Sequence, residues 1–193
     1  MTGRAGTESV EIAERVAVEQ ARGGDPDAYA VLVRMHLAGA YRAAMLFGPG
    51  PDAEDVVQTA FLKAYQALPR FEAGAAFRPW LMRIVINEAK NAARSADRRR
   101  AATVRLAGLD ARPRSVDPID SALSDDRRGE LLAAVRTLPT SQQRVIACRF
   151  FLDLDERETA AALGLPVGTV KSRLHRALRR LRTRLQPGDG GHT

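Results

Sequence analysis

Apolar positions recur every three or four residues along most of the chain, and that period predicts helices rather than strands. The clearest case is residues 52–68, where Val56, Val57, Ala60, Phe61, Ala64 and Leu68 fall on one side. Asp52 is placed to cap this helix, and Asp55 occupies its third position, facing the positive end of the dipole. A helix over residues 26–47 precedes it, with Tyr29, Leu32, Val33, Leu37, Ala40, Tyr41 and Ala44 on one side and His36 near that stripe. Such a histidine is expected to pack rather than catalyse. Asp25 or Asp27 is its expected cap. Gly23-Gly24-Asp25-Pro26 separates it from a short helix over residues 11–21, and Gly48-Pro49-Gly50-Pro51 is a turn. Residues 1–9 are expected to be loose.

Residues 69–76 read as a loop and 77–96 as a helix, with Trp80, Leu81, Ile84, Val85 and Ala89 inward. Periodicity fades from residue 97 to 126, where Pro113 and Pro118 stand and the charge changes from Arg-rich to acidic; a linker is expected. A helix resumes at 127–138 with Leu131, Leu132, Val135 and Leu138. Pro139 stops it. Thr140 and Gln143 have capping-box spacing for the next helix, whose apolar side is Val145, Ile146 and Phe150.

Another capping box, Asp155 with Glu158, then opens a helix carrying Ala160 and Leu163. Gly164 supplies the left-handed residue of a sharp stop, and Pro166 suits the first turn of a following helix. In that last helix Val170, Leu174, Ala177, Leu178, Leu181 and Leu185 form one stripe. Ser172, His175, Arg176 and Arg179 point the other way at about 100° per residue, with Lys171 and Arg173 on the flanks. Between Lys171 and Arg184 there is no acidic residue. A helix packed on one side and cationic on the other fits the major groove, where Arg reads guanine edges and other cations hold phosphates. The competing reading is a solvated basic helix, or one that meets an acidic protein. Helix, tight turn and helix in this order favour DNA.

Composition sharpens this picture. The 193 residues carry a net charge of +7 and a pI near 10.4, so a polyanion is a natural partner. Hydrophobic residues make up 45%, enough for packed cores. Cys148 is the one cysteine, which excludes an intramolecular disulfide; it is expected to pack as a small apolar residue. The three histidines lie far apart, so no metal site and no cofactor are expected. No segment is apolar enough for a signal peptide or a bilayer span, so a cytoplasmic protein without membrane insertion is expected. Paired carboxylates, a nucleophile with its base and a phosphate loop are all lacking; GPGPDAED has no Lys-Ser/Thr. An enzyme is not expected.

The polar side of residues 77–96 carries Arg78, Arg83, Asn87, Lys90, Asn91 and Arg94 beside a loop with aromatic residues. That combination suits single-stranded nucleic acid, since aromatic rings stack bases and cations hold the backbone. Aromatic residues at helical spacing are more often core, and Trp80 is expected to be mostly so. Asn87 is the better candidate for a base contact.

Residues 163–182, LGLPVGTVKSRLHRALRRLR, closely resemble the final helix-turn-helix of bacterial RNA polymerase sigma factors of the extracytoplasmic-function type. DAEDVVQTAFLKAY and FRPWLMRIVINEAKNAAR resemble two further segments of the same family, in the same order. The resemblance implies an all-α fold with two helical domains joined by a flexible linker, the second containing the helix-turn-helix. Glu54, Asp55, Gln58 and Lys63 would contact the clamp of core RNA polymerase. Phe71, Arg83, Asn87, Lys90, Asn91 and Arg94 would bind the minus-ten element, with a flipped base of the non-template strand in a pocket formed by residues 69–76 and the helix after them. Lys171, Ser172, Arg173, His175, Arg176 and Arg179 would read the minus-thirty-five duplex. The chain departs from the family pattern at Thr59, Ile86, Asn91, Arg157 and Thr159.

The implied boundaries are an N-terminal extension (1–24), a polymerase- and minus-ten-binding domain (25–100), a linker (101–125), a helix-turn-helix domain (126–186) and a tail (187–193). The expected function is that of a dissociable sigma factor which binds core RNA polymerase, recognises promoter DNA and directs initiation with local strand opening. An anti-sigma partner is usual in the family. The alternative is a stand-alone helix-turn-helix repressor or activator, which leaves residues 52–94 unexplained.

Overall fold

The computed structural model describes residues 3–106 and 126–185, and every regular element among them is helical. Helix α1 (Gly3–Arg22) is longer than the apolar period suggested and starts within the stretch expected to be loose. It packs into the N-terminal domain through Ala17, Val18 and Ala21. Glu14 on α1 meets His36 at 2.7 Å, and His36 lies against the Phe77 ring at 5.3 Å. His36 is therefore a packed residue that ties the N-terminal helix down.

Helix α2 (Pro26–Phe47) starts at an Asp25 cap, whose carboxylate accepts from the N–H groups of Asp27 and Ala28. Its buried side is Ala28, Leu32, His36, Ala40, Ala43, Ala44 and Phe47. Leu37 and Tyr41 are exposed instead of inward. The close alanines decide this: they let α1, α3 and α4 approach along the Ala40–Ala44 side, which rotates the larger residues outward.

Helix α3 (Ala53–Ala67) buries Val56, Val57, Ala60, Phe61 and Ala64 as the pattern required, and Leu68 just beyond it is buried too. Asp52 precedes α3 but makes no side-chain capping bond; its carboxylate lies 3.9 Å from Arg99 instead. A short 3-10 turn, Leu68–Arg70, opens the loop that leads to α4. Helix α4 (Phe77–Leu106) continues past residue 96, where the expected linker was to begin. Its extension is a run of Arg and Ala residues, which are strong helix formers that need no packing partner. The rest of the proposed linker lies outside the described residues.

Helix α5 (Asp126–Arg136) buries Leu132 and Val135, with Leu138 beyond its end, while Leu131 is exposed. Helix α6 (Thr140–Ile146) begins after Pro139, with no side-chain cap. Thr140 is already helical, so the expected box does not form. The Gln143 amide donates to the carbonyls of Arg136 and Leu138, closing the preceding turn in its place. A wide helical turn, Ala147–Phe151, buries Cys148 and turns Phe150 out to solvent.

Helix α7 (Glu156–Leu163) has the full reciprocal capping box of Asp155 and Glu158. Gly164 ends it at φ 65°, the left-handed conformation glycine adopts without cost. Thr159, fully buried, turns its hydroxyl toward the Leu154 carbonyl at 3.5 Å. Helix α8 (Val167–Leu185) follows, and the Pro166 carbonyl accepts from Thr169 and Val170. Pro166 thus stands just before the first helical residue rather than within the first turn. Val170, Ala177 and Leu181 are buried, Leu174 packs at the edge, and Leu178 and Leu185 are exposed. Helix α8 packs on α5, α6 and α7 through one narrow stripe, and the flanks of the predicted one remain outside.

The C-terminal core is Ala134, Val135, Leu138, Ile146, Ala177 and Leu181, with Val145, Ala160 and Val170 beneath the helix-turn-helix. Cys148, Leu152, Leu154 and Ala162 belong instead to the larger core of α1–α4. The two halves therefore pack together, chiefly α7 on α4.

Candidate nucleic-acid interface

Three surfaces carry the residues singled out by sequence. The first is the outer side of α8. Lys171, Ser172, His175, Arg176 and Arg179 are exposed and Arg173 is half-buried. Ser172 donates to the Thr169 carbonyl at 3.1 Å, and Arg176 Nε donates to the Ser172 carbonyl at 3.1 Å. Both side chains are thus laid along the helix, and Arg176 Nη2 also donates to the Ser172 hydroxyl at 3.4 Å. Lys171 Nζ lies 3.6 Å from Glu156 at the start of α7, an exposed pair that a phosphate would displace at little cost. Arg180 reaches Gln142 on α6 at 3.5 Å and braces α8 rather than its open side. The face forms because the turn at Gly164 sets α8 across α7, so that Val170 and Ala177 go inward and their opposite neighbours outward.

The second surface is a strip along α4. Asn87, Asn91 and Arg94 are exposed, and the Asn91 amide oxygen accepts from Arg94 at 2.7 Å. Arg83 is exposed on one margin, with its guanidinium beside Gly164. Lys90 is half-buried, with Nζ 5.9 Å from the centre of the Phe47 ring. Burial holds its ammonium below the usual lysine range, and the charge of Arg144 pushes the same way. Lys90 is the least free of the six candidates to serve as a phosphate ligand. Phe71 is only 4% exposed, packed on Phe77 and Trp80 with ring centres 5.9 and 4.9 Å away. Its ring is a floor beneath the loop and offers no open face for stacking. The loop itself, from Glu72 to Ala76, is exposed above that floor.

The third surface is the outer side of α3. Glu54, Asp55 and Gln58 are exposed together. Lys63 sits on the flank, where its ammonium lies 2.7 Å from Glu88 of α4. That pair braces α3 against α4. Sequence reasoning missed Leu62, which is 59% exposed one turn beyond Gln58. Its signal was available: an apolar residue on the polar side of an amphipathic pattern.

Among the described residues there is no group of His, Cys, Asp and Glu that could hold a metal ion, and no helix is long and apolar enough to cross a membrane.

Two family models match the chain. One, sigma-70 region 2, matches residues 32–99, which hold α3 and the α4 strip. The other, sigma-70 region 4, matches residues 128–181, which hold the helix-turn-helix. The extracytoplasmic-function RNA polymerase sigma-E factor of Escherichia coli K12 is 32% identical over 187 residues, spanning 93% of this chain and 97% of that protein. The solved structure of CnrH in complex with the cytosolic domain of CnrY is similar with a TM-score of 0.64 and 32% identity, over 90% of this chain and 97% of that one. The sigma factor RpoE in complex with the anti-sigma factor NepR from Bartonella quintana gives a TM-score of 0.58 at 27% identity, over 85% and 99%. Two surfaces suited to nucleic acid, in the order region 2 then region 4 and over nearly the whole length of these relatives, place the chain in the extracytoplasmic-function sigma factors of RNA polymerase.

Proposed function

We propose that the chain divides the work of initiation among its three surfaces. As a sigma factor it binds core RNA polymerase, recognises promoter DNA and directs initiation with local strand opening. In our assignment Glu54, Asp55 and Gln58 meet the polymerase clamp, with Leu62 adding an apolar contact between them. Lys63 supports that patch from the side through Glu88. Arg83, Asn87, Asn91 and Arg94 contact the minus-ten element, Lys90 backs them, and Phe71 supports the loop that would receive a flipped base. Unstacking costs a few kcal/mol, which the loop pocket and backbone contacts must offset. Lys171, Ser172, Arg173, His175, Arg176 and Arg179 read the minus-thirty-five duplex. The protein acts in the cytoplasm as a non-enzymatic subunit, and an anti-sigma protein belongs among its partners.

The observation that carries this assignment is the exposed, acid-free side of α8 beside a separate strip on α4 that mixes amides with cations. A duplex-binding repressor needs only the first. The test is reconstituted transcription with core polymerase on genomic fragments. Discrete start sites that depend on the protein support the assignment, and mapping them yields both elements. Duplex binding without core binding or transcripts would transfer the protein to the repressor or activator class.

A further inference from the structure

We propose that α1 takes part in strand opening, with Glu14 and His36 as positioning residues that set the loop over residues 72–76 from behind. The role deepens the minus-ten assignment above and rests on it. That loop has little packing of its own. Glu72 to Ala76 are all exposed, Gly74 adopts φ 80°, and a Cβ at Gly74 would meet nothing within 4 Å. Helix α1 and the loop line one groove of about 1010 Å³, to which Glu14, Val18, His36, Gly74, Ala76 and Phe77 contribute. With open space on that side, the place of the loop is set by its two ends.

Both ends reach α1. At the start, the turn Leu68–Arg70 packs against α1. At the other end stands Phe77, the buried first residue of α4. The His36 ring lies against it, with 5.3 Å between centres and 47° between planes. Phe77 in turn meets Phe71 at 5.9 Å and Trp80 at 5.4 Å, so four rings form one cluster beneath the loop. Closely packed rings shift together, because a gap between them forfeits their contacts.

Glu14 fixes this cluster from α1. Its Oε1 lies 2.7 Å from His36 Nε2. Both atoms are closed to solvent, and neither has a hydrogen-bond partner elsewhere among the described residues. Removing either side chain therefore leaves a buried polar atom unsatisfied. Ala17, Val18 and Ala21 already anchor α1 in the core. A buried ion pair adds little stability over apolar residues of the same volume, so the pair is better suited to fixing position than to adding stability. Position matters here because a pocket built on a loop is precise only when its supports are locked. The sigma-70 region 2 match begins at residue 32 and leaves α1 out.

Three variants test the role. Glu14→Ala leaves α1 its apolar anchors, and His36→Leu serves as a second should the first fail to fold. Glu14→Gln keeps an oxygen opposite His36 and is the conservative control. The first readout needs no DNA. Trp80, the only tryptophan, packs on Phe71 at 4.9 Å. Acrylamide quenching of its fluorescence in the full chain should rise about twofold in Glu14→Ala and His36→Leu, through local loosening, and be restored in Glu14→Gln. The second readout is base preference in the complex with core polymerase. Once wild-type start sites are mapped, binding of the non-template strand is compared between the natural minus-ten sequence and versions with each base replaced in turn. Preference for the natural base at the flipped position should shrink about tenfold in Glu14→Ala and His36→Leu, with duplex binding by α8 unchanged. A role in stability alone would weaken every strand alike and leave the preference intact. Intact preference, or unchanged Trp80 quenching in the folded variants, would overturn the positioning role. Absent wild-type start sites would remove the minus-ten assignment and with it the part played in opening, while quenching still decides whether Glu14 and His36 fix the loop.

Discussion

The two surfaces assigned to DNA differ in how they are made. On α8 the open side carries cations with no acid among them, and the helix rests on a small core of its own built around Val170 and Ala177. On α4 the strip sets two amides, Asn87 and Asn91, among Arg83, Lys90 and Arg94. Glu88 lies beside it, and aromatic rings underlie the loop next to it. A duplex offers a dense line of phosphates and readable base edges in the major groove, which a cationic helix matches. A melted strand offers unstacked bases, which amides and a shaped pocket hold better than charge does. In the proposed assignment one chain meets two recognition problems with two kinds of surface.

The sharpest way to break this comparison is Val170→Asp. A carboxylate would then be buried beside Val145 and Ala160, at a cost of about 4 kcal/mol or more. The C-terminal unfolding transition and minus-thirty-five binding should both be lost, while core polymerase should still bind through α3. Retained duplex binding would show that α8 is not the reader.

A pair of exposed substitutions sharpens it. Arg176→Ala should weaken duplex binding by roughly 1–3 kcal/mol if it reads a base edge; if it holds a phosphate, the salt slope should drop by about one. Asn87→Ala should leave duplex binding unchanged and lower strand opening, read by permanganate reactivity of unpaired thymines. Equal effects of both on both assays would erase the distinction between the surfaces.

Gly164→Ala tests the turn that aims α8. A residue with a Cβ at φ 65° costs roughly 1–2 kcal/mol, and this Cβ also meets Arg83. The urea midpoint should fall, with duplex affinity falling beside it. The smallest effect is expected from Lys63→Met, which leaves the half-buried Glu88 carboxylate without its partner. With Lys63 half exposed, about 0.5–1 kcal/mol is at stake, and less at high salt. Urea unfolding at two ionic strengths measures it. A large loss of polymerase binding without loss of stability would instead make Lys63 a direct contact.

The helices, the all-α class and the helix-turn-helix were legible because each carries local signals. The Asp155–Glu158 box and Gly164 formed as their spacing required. So did the buried side of α3. Local signals failed where a neighbour competed for the same group. Asp52 faces Arg99 instead of capping, and Gln143 closes the turn before α6 rather than boxing with Thr140. Amphipathic period also misjudged the edges of stripes. Leu37, Tyr41, Leu178 and Phe150 are apolar and outward, since period gives the direction of a buried side but not its width.

The candidate site was legible in part. Exposure of Asn87, Asn91, Arg94 and the α8 residues agrees with the helical phase read from sequence. The positions of Phe71, Lys90 and Lys63 do not follow from phase. An aromatic in a loop looks available to a base, but packing on Phe77 and Trp80 makes Phe71 the floor of the loop.

By itself the sequence determined the all-α class, where most helices begin, the direction of their apolar sides, and that two motif blocks belong to a sigma factor. These depend on residues within a few turns of one another. Tertiary structure alone decided that Ile86 is buried with Cys148 and Leu152 in one core, that Arg78 binds carbonyls about 75 residues away, and that Lys63 pairs with Glu88. Such contacts join distant segments, and their partners are chosen by how helices pack and exclude water, which no local period encodes.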